Sequence, residues 1–307
     1  MLVMQRLILL SALAVLAACL GAQSSGAVAA EGPLCTPGLH TLSLEHDGRS
    51  RSYQLYVPDG ASAGQPVPLV VGLHGGWGTG EGFGKQSGLM ALARSERFAL
   101  ALPDGIWRAW NAGSCCGRPA RKQIDDVGFI ARLTHKLEGT ACIANNQTYG
   151  SGFSNGAMLL QRIVCERDDV FDAIAPVAGP LMLAQCSKPS AVPALLIRGA
   201  DDPRIPLVGG DYDGSYRASL NEMTQSLIER NGCDIGKASP LRVHGADCQR
   251  YAACTSGRPV LRCTVADTGH QWPGGKTFLA DKLGPNPGRF KATEQIWRFF
   301  QNQDASN

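Results

Sequence analysis

The sequence predicts an α/β fold, a mostly parallel central sheet with helices on both faces, and three observations predict it. Apolar runs at 68–73, 98–102, 173–177 and 194–198, short enough for strands buried on both sides, alternate with helix-forming stretches. One strand-like run leads through Gly152-Phe153-Ser154-Asn155-Gly156 into a stretch of good helix formers without a breaker. Further candidate polar groups, Asp202 and His270, stand in loops that each follow another strand-like run, and sites in such sheets lie at the carboxyl ends of the strands.

Taken in order, the first residues carry Arg6 followed by the apolar run 7–18, which reads as a signal peptide; residues 1–30 are expected to be leader and linker, and 31–307 one catalytic domain. Two cleavage patterns are present. Leu16-Ala17-Ala18-Cys19 resembles a lipobox, which would anchor the chain by a lipid at Cys19, and Ala27-Val28-Ala29 resembles an ordinary secretory site. Both imply a secreted or periplasmic protein, and no later stretch is long and apolar enough to span a membrane.

Residues 41–45 and 52–57 alternate apolar and polar side chains around His46-Asp47-Gly48, an antiparallel hairpin expected at the sheet edge. The buried strand 68–73 runs into His74-Gly75-Gly76-Trp77-Gly78, with His74 read as a brace for that loop. After the strand 98–102 comes a long loop with Trp107, Trp110 and Cys115-Cys116, and then Asp125-Asp126, read as the acidic start of a helix to about residue 137. Strands at 173–177 and 194–198, a helix around 219–230, a hairpin within 241–265 and an amphipathic helix at 289–300 complete the pattern.

Composition narrows the function. The chain has 307 residues, 44% hydrophobic and 18% charged, long enough for one large core. A net charge of +3 with both signs interspersed argues against nucleic acid as a partner. Eleven cysteines suit an oxidising compartment, and without Cys19 ten remain to pair. They lack the spacing of zinc sites, so neither metal nor cofactor is expected. Cys115 and Cys116 are expected to find separate partners, since bridging neighbours strains the intervening peptide, and Cys233, Cys248, Cys254 and Cys263 to staple the late hairpin.

The glycine-flanked serine has the form of a nucleophile elbow, a tight turn that exposes the serine hydroxyl between strand and helix. Serine needs a base, so a neutral imidazole must take its proton, and a carboxylate must orient that imidazole. His270 is the one of six histidines in the expected position, and Asp202 is preferred to Asp201 as the acid. The N–H groups of Asn155 and Gly76 are the candidate oxyanion donors. Trp107, Trp110 and Trp272 are candidates for lining a substrate pocket.

His74-Gly75-Gly76, residues 110–117, residues 125–129, the serine motif, Asp202-Pro203 with Pro206, and Gly269-His270-Gln271-Trp272-Pro273-Gly274 together resemble the polyhydroxybutyrate depolymerase and feruloyl esterase group of secreted α/β-hydrolases. The resemblance covers almost the whole mature chain and implies a serine esterase with Ser154, Asp202 and His270 as its triad. It departs from the group's pattern at Arg198-Gly199-Ala200, where His-Gly-Thr is usual, and at Ala157, where the group has a second glycine. No polymer-binding domain follows Phe300, so soluble oligomers or small esters are expected substrates. Polyhydroxybutyrate or its oligomers is the first expectation, feruloyl or acetyl esters of plant polysaccharides the second, and a binding protein that has lost catalysis the third.

Overall fold

The structure is a computed structural model that describes residues 33–187, 190–212 and 214–304; the leader, the linker and Cys19 lie outside these residues. In chain order the elements are β1 (Gly38–His46), β2 (Arg49–Val57), β3 (Val67–Leu73), α1 (Gly80–Ser87), α2 (Leu89–Glu96), β4 (Ala99–Pro103), α3 (Gly117–Arg121), α4 (Asp126–Glu138), β5 (Ile143–Phe153) and α5 (Asn155–Glu166). There follow β6 (Ala173–Val177), β7 (Ala194–Gly199), the small hairpin β8 (Gly210–Tyr212) and β9 (Ser215–Arg217), α6 (Leu220–Asn231), β10 (Ser239–Val243), β11 (Ala246–Tyr251), β12 (Val260–Val265), α7 (Ala280–Leu283) and α8 (Ala292–Asp304).

Ten strands form one sheet in the order β1-β2-β4-β3-β5-β6-β7-β12-β11-β10. Its middle, from β4 to β12, is parallel, and antiparallel pairs close both edges. This is the α/β-hydrolase architecture that the sequence predicts. Alternation along the central strands explains the two covered faces. Leu69, Val71 and Leu196 point to the side where Phe129, Leu133, Leu160 and Leu227 of α4, α5 and α6 pack, whereas Val70, Leu100, Leu195 and Ile197 meet Phe83, Leu89, Ala93 and Phe300 of α1, α2 and α8. Each large side chain buried in this way stabilises the fold by about 1.5–3 kcal/mol.

Among the described residues five disulfides are present: Cys35–Cys142, Cys115–Cys116, Cys165–Cys186, Cys233–Cys254 and Cys248–Cys263. The last joins directly opposed residues of β11 and β12, so the late strands are stapled as expected. The expectation for the adjacent pair is corrected: Cys115 and Cys116 bond to each other across a cis peptide, a backbone geometry the sequence argument did not consider. Among the described residues no helix is long and apolar enough to cross a membrane, and no cluster of ligands for a metal ion occurs.

Candidate active site

The site lies at the carboxyl ends of neighbouring parallel strands. Ser154 follows β5 and adopts φ 51° and ψ −118°, a conformation unusual for a residue with a side chain, before α5 begins at Asn155. The flanking glycines are required by contact. A Cβ on Gly156 would come within 2.3 Å of the Leu73 carbonyl oxygen, and one on Gly152 within 2.8 Å of Gly156. The Ser154 N–H donates to the Val177 carbonyl at 2.9 Å, fixing the turn to β6.

β7 and β12 end side by side, with Gly199 opposite Val265, and the loops after them are laced by Ala200 N–H to Val265 O at 2.8 Å and Asp201 N–H to Thr268 O at 3.0 Å. That pairing brings Asp202 and His270 together across 68 residues of sequence. His270 Nδ1–H donates to Asp202 Oδ2 at 2.8 Å, and Ser154 Oγ–H donates to His270 Nε2 at 2.8 Å. The other oxygen of Asp202 accepts the N–H groups of Arg204 and Ile205, each at 2.8 Å. The carboxylate is therefore buried yet satisfied, while Asp201 is exposed. His270 is mostly buried, with its ring 5.1 Å from that of Phe153.

The loop after β3 lies over the same turn, since a Cβ on Gly75 would fall 3.4 Å from Ser154 Cβ. Two of its N–H groups are committed: Trp77 donates to Arg108 O at 2.7 Å and Gly78 to Gly75 O at 3.0 Å. Gly76, exposed between them, meets nothing within 4 Å of where a Cβ would stand. Asn155 is the first residue of its helix, where an N–H has no acceptor within the helix.

His74 braces this loop. Its Nδ1–H donates to Gly75 O at 2.7 Å, and its Nε2 accepts the Gly105 N–H at 2.9 Å, which fixes the neutral ring in one tautomer. Burial holds its pKa below the usual histidine range. Trp110 and Trp272 do not line a pocket. Both are fully enclosed, with Trp110 Nε1–H donating to His74 O at 2.9 Å and Trp272 Nε1–H to Thr293 Oγ1 at 2.8 Å. A buried indole needs such an acceptor, and here both acceptors are structural. Of the three tryptophans only Trp107 reaches the surface.

Two further residues have roles the sequence reading did not assign. Asp126, beyond starting a helix capped by Asp125, is fully buried; it accepts Arg51 Nη2–H at 2.7 Å and the Asn111 N–H at 2.8 Å, anchoring the loop that bears Trp110. Arg198 is buried behind the Asp202 loop and donates to the carbonyls of Pro206 at 3.3 Å and Ala218 at 3.0 Å. Burial pulls its pKa down to about 10, so it remains charged at neutral pH. Its place where the resembling group has histidine was the one signal of this in the sequence.

Known proteins resemble the chain in sequence and in fold. Over 253 residues the chain is 32% identical to the putative esterase NocK of Nocardia uniformis subsp. tsuyamanensis, covering 74% of this chain and 72% of that protein. It is 26% identical to the probable feruloyl esterase C of Aspergillus niger, over 73% of this chain and 75% of the relative. The acetyl xylan esterase from Aspergillus awamori shares the fold with a TM-score of 0.56 at 14% identity, over 80% of this chain and 97% of that one. No protein-family model matches the chain.

Proposed function

Because the chain belongs to the feruloyl esterase group of α/β-hydrolase esterases, we propose that it is a serine esterase releasing feruloyl or acetyl groups from plant polysaccharides, with residues 31–307 as its catalytic domain. That it is a carboxylic ester hydrolase follows from its family, and its substrates are esters. In the proposed mechanism Ser154 Oγ attacks the ester carbonyl as His270 Nε2 takes its proton. Asp202 keeps the ring in the tautomer with Nδ1–H and stabilises the imidazolium. The N–H groups of Gly76 and Asn155 bind the oxyanion. His270 then protonates the leaving alcohol, and water, activated by the same ring, releases the acid and restores Ser154.

The observation that carries the catalytic assignment is the unbroken line of two hydrogen bonds from Ser154 through His270 to Asp202. The first substrate expectation, polyhydroxybutyrate, gives way to the second because the relative from Aspergillus niger bears a feruloyl esterase name. Export is part of the proposal, and the five disulfides favour an oxidising compartment. Hydrolysis of methyl ferulate, acetylated xylan and 3-hydroxybutyrate oligomers, compared side by side, tests it. The first two are expected to turn over faster; preference for the third would restore the polyester reading.

A further inference from the structure

Beside Ser154 runs a strip of exposed side chains that ester chemistry does not use. Gly75 packs on the serine turn, and two residues on, Trp77 is 84% exposed. Its N–H bond to Arg108 O ties it to the next loop, where Trp107 is 40% exposed. Trp77, Trp107 and Arg108 all have left-handed backbones, with φ of 64°, 54° and 59°. Leaving an indole in water forgoes the gain of burying it, and a bulky residue at positive φ adds a steric cost. Two neighbouring tryptophans carrying both costs beside a reactive serine mark a surface kept for a ligand.

Charge identifies the ligand class. Arg118 lays its guanidinium 4.0 Å from the centre of the Trp107 ring, and Arg108 reaches back to Gly78 O. Residues 105–123 contain Arg108, Arg118, Arg121 and Lys122, all exposed, and no aspartate or glutamate. Asp104, just before them, is turned away: its carboxylate accepts the Gly80 N–H and the Ser52 hydroxyl. Indole faces stack on the C–H faces of sugar rings, and guanidinium forks fit carboxylates. A neutral glycan would leave Arg108 and Arg118 without a carboxylate partner, and a lone phenolic acyl group needs one slot rather than a strip across two loops.

We propose that Trp77, Trp107, Arg108 and Arg118 bind the alcohol side of the substrate, a polysaccharide bearing uronate carboxylates, while its ester lies at Ser154. This rests on the polysaccharide esterase reading above and adds the sugar class. The test uses the full chain carrying Ser154→Ala, with calorimetric titration of an oligogalacturonide, a neutral xylo-oligosaccharide of equal length and single-stranded polyuridine. The oligogalacturonide is expected to bind about tenfold more tightly than the neutral chain, a difference of about 1.4 kcal/mol, and to weaken as salt rises. Adding Arg118→Gln or Trp77→Ala should weaken it about fivefold or more, with circular dichroism showing both variants folded. Equal affinity for the two sugars, indifference to both substitutions, or tighter binding of polyuridine would overturn the proposal. If the native enzyme leaves feruloylated oligosaccharides intact while the inert variant still binds oligogalacturonide, the ester assignment fails and the strip stands. Hydrolysis without that binding removes the strip alone.

Discussion

Trp110 grips Asn155 at both ends of its side-chain amide: the Trp110 N–H donates to Asn155 Oδ1 at 2.7 Å, and Asn155 Nδ2–H donates to Trp110 O at 3.0 Å. The same tryptophan holds the His74 carbonyl through its indole N–H. One buried residue therefore spans the two strand ends that carry the proposed oxyanion donors, Asn155 and Gly76. Trp110→Phe removes the indole donor together with part of the ring system and leaves the backbone grip on Asn155 in place. We expect kcat to fall about tenfold with KM little changed, because small misplacements at a reacting centre cost rate rather than affinity. A boronic acid, which mimics the tetrahedral state, should lose affinity in parallel. Steady-state kinetics and inhibition constants check this; an unchanged boronate constant would remove Trp110 from the alignment of the oxyanion site.

The acid can be assigned by two substitutions. Asp202 is buried and bonded to His270, whereas the side chain of Asp201 faces solvent. Asp202→Asn should lower kcat by about four orders of magnitude, as losing the orienting carboxylate can do, and Asp201→Asn should stay within about threefold of the native rate. A fluorophosphonate probe should label the native protein and fail on Ser154→Ala. A severe loss in Asp201→Asn beside a near-normal Asp202→Asn would move the acid by one position.

His74 supplies a pH dependence. Its Nε2 faces the Gly105 N–H, so a proton added there would set donor against donor, and burial holds the folded pKa below its usual value of about 6.5. Below about pH 6.5 the unfolded chain binds this proton while the folded chain does not. The neutral ring's contribution is thus complete above that pH and is lost as pH falls toward the lower folded value. Melting temperatures from pH 7.5 to 5 should drop in the native protein and drop less steeply in His74→Gln. Equal slopes would count against the buried neutral ring.

These relationships separate what the sequence carries from what it hides. The strand at 173–177 was legible because a strand buried on both faces is a continuous apolar run, and its observed bounds are the same. That Ser154, Asp202 and His270 meet was legible because each stands in a loop after a strand of one mostly parallel sheet. The burial of Trp110 and Trp272 is not legible because the acceptors for their indoles, His74 O and Thr293 Oγ1, lie far off in sequence. Helices α1 and α2 escaped notice because Gly80, Gly82 and Gly84 dilute the apolar stripe of α1. The Cys115–Cys116 bond needed a peptide geometry that no spacing argument reveals.

The Cys248–Cys263 bridge should be a measurable stabiliser. It crosses β11 and β12 just before the His270 loop and spans 15 residues of chain. Closing a loop of that size restricts the unfolded chain by about 3 kcal/mol. Replacing both cysteines by alanine should lower the urea midpoint accordingly, with the slope of the transition little changed. Thiol titration of the unreduced, denatured native protein should find few free cysteines; a majority of free thiols would remove the disulfide framework altogether.

Arg198 offers the last test, because its guanidinium ties the acid loop to the start of α6. It reaches Pro206 O, at the far end of the loop that carries Asp202, and Ala218 O, two residues before that helix. An ammonium in its place is a point donor and cannot span two carbonyls in a planar fork. Arg198→Lys should therefore leave one buried carbonyl without its partner and destabilise the fold by about 1–3 kcal/mol. If the tie also steadies the carboxylate, kcat should fall about threefold to tenfold while KM holds, since Asp202 acts on His270 rather than on substrate. Urea denaturation and steady-state kinetics on the same variant separate the two effects. A stability loss with native kcat would make Arg198 a brace for the fold alone, and native stability with native kcat would mean that lysine serves both carbonyls after all.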